Sequence, residues 1–305
     1  MIAIFLEVYL RKTQNVYEQK AQQLVENAAK INVLILGNSH ANYGVDPSQF
    51  NLFAFNAAQL SQSIYFDKRI TLKYINQLKK LKYVFISVDF HSLYFSSQDI
   101  RNDWSYYGYK IRYQNRQSVF IENCYLKGYT PKLAVVSVIN FISQNKIYNK
   151  FNALDLEEGV DLEKYLEKGF FSYKYMPKKY KNSTDIESEK RALKFKNIVQ
   201  NSKENKEILN DLEDFIIKLQ SKNIIPILFT SPCNASYVKF LDANIQKQNQ
   251  KNINFLTNKY KIEYWNYLQL PLQQSDFHDC DHLNAVGAKK FSKILNNRLN
   301  SLSKK

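Results

Sequence analysis

The stretch Ile31-Asn32-Val33-Leu34-Ile35-Leu36-Gly37-Asn38-Ser39-His40-Ala41-Asn42 decides the fold. Four apolar residues in succession, Val33 to Leu36, read as a strand buried on both faces, as in a parallel sheet covered by helices. Gly37 suits the tight turn that ends it. Ser39 then stands beyond the carboxyl end of a strand, where open parallel sheets bind ligands.

Outward from this stretch, strand and helix patterns alternate. Residues 15–29 are helical, with Val16, Leu24, Val25 and Ala28 apolar among polar neighbours. Leu52 to Phe55 is a second short apolar run, 61–80 a helix, and Tyr83 to Val88 a third strand. Ile208, Leu209, Leu212, Phe215, Ile216 and Leu219 form an amphipathic stripe that feeds a strand over 224–230. A helix over 236–260 leads to a strand at 262–266, and a last helix starts near Asn284. The alternation predicts a three-layer α/β/α sandwich around a mainly parallel sheet. Residues 91–203 break the rhythm. Such a length exceeds any ordinary connection, so an inserted subdomain or cap is expected there. It carries a helical pattern over 133–147 and the run Trp104-Ser105-Tyr106-Tyr107-Gly108-Tyr109, read as packing of the cap, with sugar stacking as the alternative. The expected organisation is a membrane-proximal segment and helix over 1–29, then an α/β domain over 30–305 interrupted by 91–203.

Composition narrows the function classes. Of 305 residues, 45 % are hydrophobic and 23 % charged, a globular balance that excludes a disordered chain and a polytopic membrane protein. With 7 glycines and 6 prolines the chain is neither collagen-like nor low-complexity. It has no G-x-G-x-x-G and no P-loop, which disfavours a phosphate-binding module. The net charge of +15 favours anionic partners such as an anionic membrane surface or acidic glycan. No nucleic acid is expected, because no helix-turn-helix, zinc-finger or RNP pattern accompanies the charge. Cys124, Cys233 and Cys280 form no disulfide framework. Met1 to Leu10 is mostly apolar but too short to span a bilayer, which needs about 20 residues. It is read as the end of a membrane anchor, with an interfacial segment or a helix lying on the domain as the alternatives.

Chemistry concentrates in a second segment, Asp276-Phe277-His278-Asp279-Cys280-Asp281-His282-Leu283-Asn284, just before the last helix. A Ser-His-Asp triad needs a base within reach of the hydroxyl and an acid that fixes the tautomer of the base. An Asp three residues before a His meets the second need. The same acids and histidines imitate a metal site, but no metal or cofactor is expected.

Together the two segments resemble the SGNH (GDSL-like) esterase and acyltransferase superfamily. Gly37-Asn38-Ser39 looks like its first block and Asp279-Cys280-Asp281-His282 its last, with Asp281-His282-Leu283-Asn284 and Gly287-Ala288 similar to its D-H-L-N-x-x-G-A stretch. The resemblance implies a flavodoxin-like sheet, Ser39 as nucleophile, His282 as base and Asp279 as its orienting acid. It implies an oxyanion hole made of the Ser39 N–H, a backbone donor in Asn56-Ala57-Ala58-Gln59-Leu60-Ser61 with Ser61 at the glycine position, and an asparagine after the third strand. Asp89 stands at that last place, and an ionised aspartate only accepts hydrogen bonds. Asn42 and His91 are expected to bind substrate, or one of them to substitute for the missing donor, the alternatives being a hole of two donors or weak catalysis; His40 is expected to bind substrate or to pack beside the site. The stretch Ile35 to Pro47 is similar to a narrower group, membrane-linked bacterial SGNH-like proteins of cell-surface polysaccharide machinery. This implies an ester hydrolase or O-acyltransferase on acylated cell-envelope glycan or a small acyl ester, membrane-associated on the extracytoplasmic face. The alternative is a non-catalytic SGNH-fold binding or assembly protein of the same machinery.

Overall fold

The computed structural model describes residues 16–95, 166–171, 185–203 and 205–302, and the single positions 4, 7, 8, 109 and 111. Five strands, β1 (Val33–Leu36), β2 (Ala54–Asn56), β3 (Tyr83–Ser87), β6 (Ile225–Thr230) and β7 (Glu263–Asn266), form one parallel sheet in the order β2-β1-β3-β6-β7. Setting aside a small antiparallel hairpin, β4 (Leu166–Glu167) with β5 (Phe170–Phe171), this is the flavodoxin-like order. Its switch point lies between β1 and β3.

The pleat explains the two cores. Leu34, Leu36, Val84, Ile86 and Leu228 face one side, where they meet helices α1 (Val16–Asn27), α3 (Ile64–Tyr74), α5 (Asn205–Gln220) and α7 (Ala243–Tyr260). Val33, Ile35, Phe85, Ile227 and Phe229 face the other, against α8 (Ala285–Leu302) and the short helix α2 (Ser39–Gly44). Successive strand side chains point to opposite faces. An unbroken apolar run such as Val33 to Leu36 therefore fills both layers.

A third cluster lies over the carboxyl ends of the strands. There α4 (Asp185–Asn201) contributes Ala192, Phe195 and Val199 and the short helix α6 (Ala235–Val238) contributes Tyr237, around Phe90, Cys233 and Cys280. α4 falls in the expected insertion; residues 133–147 and most of the tyrosine-rich run lie outside the described residues. Two helices differ from expectation. The pattern over 61–80 forms a helix only to Tyr74. The single helix expected over 236–260 is two, because Asp242 starts a new one by accepting from Asn244 N and Ile245 N.

Candidate active site

Gly37 closes β1 with φ +133°, and a Cβ there would lie 2.4 Å from Ser87 Cβ. Only glycine lets the chain leave β1 so close to β3. Asn38 then caps α2, its Oδ1 accepting from His40 N at 2.9 Å, so Ser39 becomes the first helical residue. Across from it, Asn284 caps α8 by accepting from Val286 N and Gly287 N. Its amide also donates to the carbonyls of Ser275 and Phe277. That anchors the loop carrying Asp279 and His282.

The structure brings the three residues together. His282 Nε2 lies 2.9 Å from Ser39 Oγ, and His282 Nδ1 lies 2.9 and 3.1 Å from the two carboxylate oxygens of Asp279. Asp279 Oδ1 also accepts from the backbone N–H groups of Asp281 and His282. Burial would raise the Asp279 carboxyl, but the imidazole of His282 and these hydrogen bonds hold it below its ordinary range. His282 is buried and Ser39 partly exposed. This is the arrangement in which a hydroxyl is activated by an oriented imidazole. The Tyr43 ring meets the His282 ring edge-on, with centroids 5.7 Å apart.

The second loop is held by side chains. Asn56 donates to the carbonyls of Ala41 and Val45 and accepts from Ala58 N. Gln59 N donates to Gly37 O. Ser61 has φ +53°, the left-handed region that favours glycine, so the conformation of the glycine position is kept by a serine.

Four of the residues expected at the site have other surroundings. Asp89 supplies no donor: its Oδ2 accepts from Ser87 Oγ at 2.7 Å and lies 3.3 Å from His40 Nδ1, and its Oδ1 accepts from Ser231 N. Against the upward push of burial, the His40 charge holds Asp89 ionised. His40 packs inside the fold. It is 4 % exposed, with its Nε2 3.1 Å from Asp281 Oδ2. Burial alone would lower its pKa, yet the charges of Asp89 and Asp281 raise it to about 10. Asn42 is buried, and its Oδ1 accepts from Lys20 Nζ at 2.7 Å. His91 is buried and stacked on Phe195, ring centroids 4.1 Å apart. Burial and the neighbouring His40 charge push it down to about 3, so it is neutral. Apart from Ser87, the partners are remote in sequence, which local spacing does not show.

Three residues emerge that spacing did not assign. Asp281 accepts from Arg191 Nε at 2.8 Å, and burial's upward push is overcome by the His282 imidazole, the Arg191 guanidinium and His40, which hold it well below its ordinary range. Arg191, on α4, had no signal among the many charges of its stretch. Lys20 is fully buried and bonds the Ala58 carbonyl as well as Asn42. A lysine on the apolar face of α1 beside Ala21 and Leu24 was the available signal.

His40, Asp281 and His282 bring possible ligand atoms within 4.8 Å, as do Asp279, Cys280 and Asp281. In the first group the other ring nitrogen of His40, Nδ1, lies 3.3 Å from a second carboxylate, that of Asp89. A cavity of about 290 Å³ opens at the carboxyl ends of β3, β6 and β7, with Asp89, Phe90, Thr230, Asn249 and Tyr264 in its wall.

No protein-family model matches the chain, and no curated protein matches its sequence. Among solved structures, the chain is similar to a proposed acylhydrolase from Bacteroides fragilis, at 11 % identity and TM-score 0.41 over 92 % of this chain and 96 % of that one. It is also similar to a proposed platelet activating factor protein from Streptococcus pneumoniae, at 15 % identity and TM-score 0.42 over 98 % of each chain. The strand order, not these distant likenesses, defines the fold.

Proposed function

We propose that the protein is a serine esterase or O-acyltransferase. One observation carries this reading: Ser39 Oγ, His282 and Asp279 form a continuous hydrogen-bonded array at the carboxyl edge of a parallel sheet. In the proposed reaction Ser39 Oγ attacks an ester carbonyl while His282 Nε2 takes its proton. The tetrahedral intermediate collapses to an acyl-enzyme, and His282 returns the proton to the leaving alkoxide. Water or a sugar hydroxyl then takes the acyl group, again with His282 as base. Asp279 holds the imidazole tautomer that keeps Nε2 free to accept. Backbone N–H groups of Ser39 and of the 56–61 loop would bind the oxyanion.

The substrate we favour is an acylated cell-envelope glycan, on the extracytoplasmic side of a bacterial membrane, with 91–203 as an inserted cap. This part rests on the sequence resemblance and on the +15 charge.

A non-catalytic binding or assembly role is the competing reading, and one observation favours it: Asp89 offers a carboxylate where the resemblance implies a donor. Ser39→Ala separates the two. The enzyme reading expects hydrolysis of short acyl esters to vanish while the stability stays within about 0.5 kcal/mol of wild type. Activity within a few-fold of wild type removes Ser39 as the nucleophile.

A further inference from the structure

We propose that His40 is a positioning residue: clamped between Asp89 and Asp281, it ties the turn carrying Ser39 to the loop carrying His282. Asp89 is thus its counter-ion and not a defective oxyanion donor. The inference rests on the reading of Ser39 and His282 as nucleophile and base.

The clamp joins four elements that are distant in sequence. His40 lies on α2, Asp89 just beyond β3, Asp281 in the loop before α8, and Arg191 on α4. His40 Nδ1 is 3.3 Å from Asp89 Oδ2, and its Nε2 is 3.1 Å from Asp281 Oδ2. The same Asp281 oxygen takes Arg191 Nε at 2.8 Å. Two cations and two carboxylates balance, and three of the four side chains are at most 3 % exposed. Buried charges persist only when paired in this way. The remaining titratable groups around His40 are His282 and His91, with ring centroids at 5.1 and 6.0 Å. Around Asp281, among the described residues, they are His282, Asp279, Tyr237, Cys280, whose thiol donates to Oδ1, and Cys233, whose thiol donates to the Asp281 carbonyl.

Chain connectivity turns the clamp into a catalytic support. His40 is bonded to Ser39, and Asp281 to His282. Asp281 Oδ1 also lies 3.5 Å from His282 Nδ1, on the ring edge that Asp279 holds. Loosening the His40–Asp281 contact lets hydroxyl and imidazole drift apart together. A misplacement of about 1 Å can cost on the order of a hundredfold in rate. The clamp also explains the departure from the resembled pattern: a cation after the serine requires an anion after β3.

The test uses the full chain with His40→Gln, Asp89→Asn and the double variant. Rates on a short acyl ester, melting temperatures and imidazole NMR titration are measured side by side. Each single variant should lose about tenfold to a hundredfold in kcat with KM little changed, because the hydroxyl–imidazole geometry is disturbed and substrate binding is not. The double variant, which removes both charges of the pair, should recover most of the lost melting temperature and part of kcat. In wild type one imidazole should stay doubly protonated well above pH 8, be absent in His40→Gln, and titrate lower in Asp89→Asn. If the single variants do not fold, Arg191→Gln serves, since that side chain reaches the surface; it too should lower kcat and not KM. Folded variants with kcat within twofold of wild type overturn the proposal, as does a His40 that titrates near its ordinary value of about 6.5. A Ser39→Ala control that hydrolyses as fast as wild type defeats the catalytic reading instead, and the NMR titration still decides the clamp.

Discussion

Asp279 and Asp281 stand two residues apart and both approach His282 Nδ1, at 2.9 and 3.5 Å, yet their surroundings separate their roles. Asp279 is partly open to solvent and engages the imidazole with both oxygens. Asp281 is 1 % exposed and is the shared counter-ion of His40 and Arg191. Asp279→Asn should therefore cost on the order of 10⁴ in kcat through the wrong tautomer and leave the melting temperature nearly unchanged. Asp281→Asn should destabilise, by at most about 3–5 kcal/mol, because it removes the carboxylate shared by the buried His40 and the partly exposed Arg191 and leaves His40 with Asp89 alone. Kinetics and thermal melts on the two variants check this; a reversed pattern would exchange their roles. Ser39, His282 and Asp279 were legible in the sequence because a triad leaves local traces: a serine after a strand and an aspartate three residues before a histidine. The surroundings of His40, Asn42 and His91 were not. Burial against Asp281, Lys20 and Phe195 is set by tertiary packing, and no local pattern records it.

At the scale of elements, the site depends on two caps and one glycine. The Asn284 side chain makes four hydrogen bonds that join the start of α8 to the loop before it. Asn284→Ala should cost about 1–2 kcal/mol of stability. It should also lower kcat, since His282 is only two residues away; denaturant unfolding and rates on the same preparation measure both. A variant that is destabilised but fully active would show that the loop is held by other contacts. The strands and their flanking helices were legible because apolar runs and stripes mark buried elements directly, whereas the order of the strands in the sheet was expected only from the resemblance. The break between α6 and α7 was missed because periodicity runs through it. Only Asp242, as a cap that ends one pattern and starts the next, marks the boundary.

For the whole molecule, the flavodoxin-like order puts β1 and β3 side by side at the centre, so Ser39, Asp89 and the loop before α8 converge at the switch point. Among the described residues no helix is long and apolar enough to cross a membrane. The membrane proposal rests instead on charge and on the apolar Met1 to Leu10. With a net charge of +15, the protein should co-sediment with vesicles rich in anionic lipid at low salt and be released near 1 M salt, where the Debye length is about 3 Å. Equal binding to neutral vesicles would mean that charge does not drive the association. The central claim is that Ser39 is an activated nucleophile, and labelling with a fluorophosphonate followed by peptide mapping tests it most directly. The account predicts a single adduct on Ser39, formed far more slowly in His282→Ala; a folded wild-type protein that takes no label, or takes it on another serine, would contradict it.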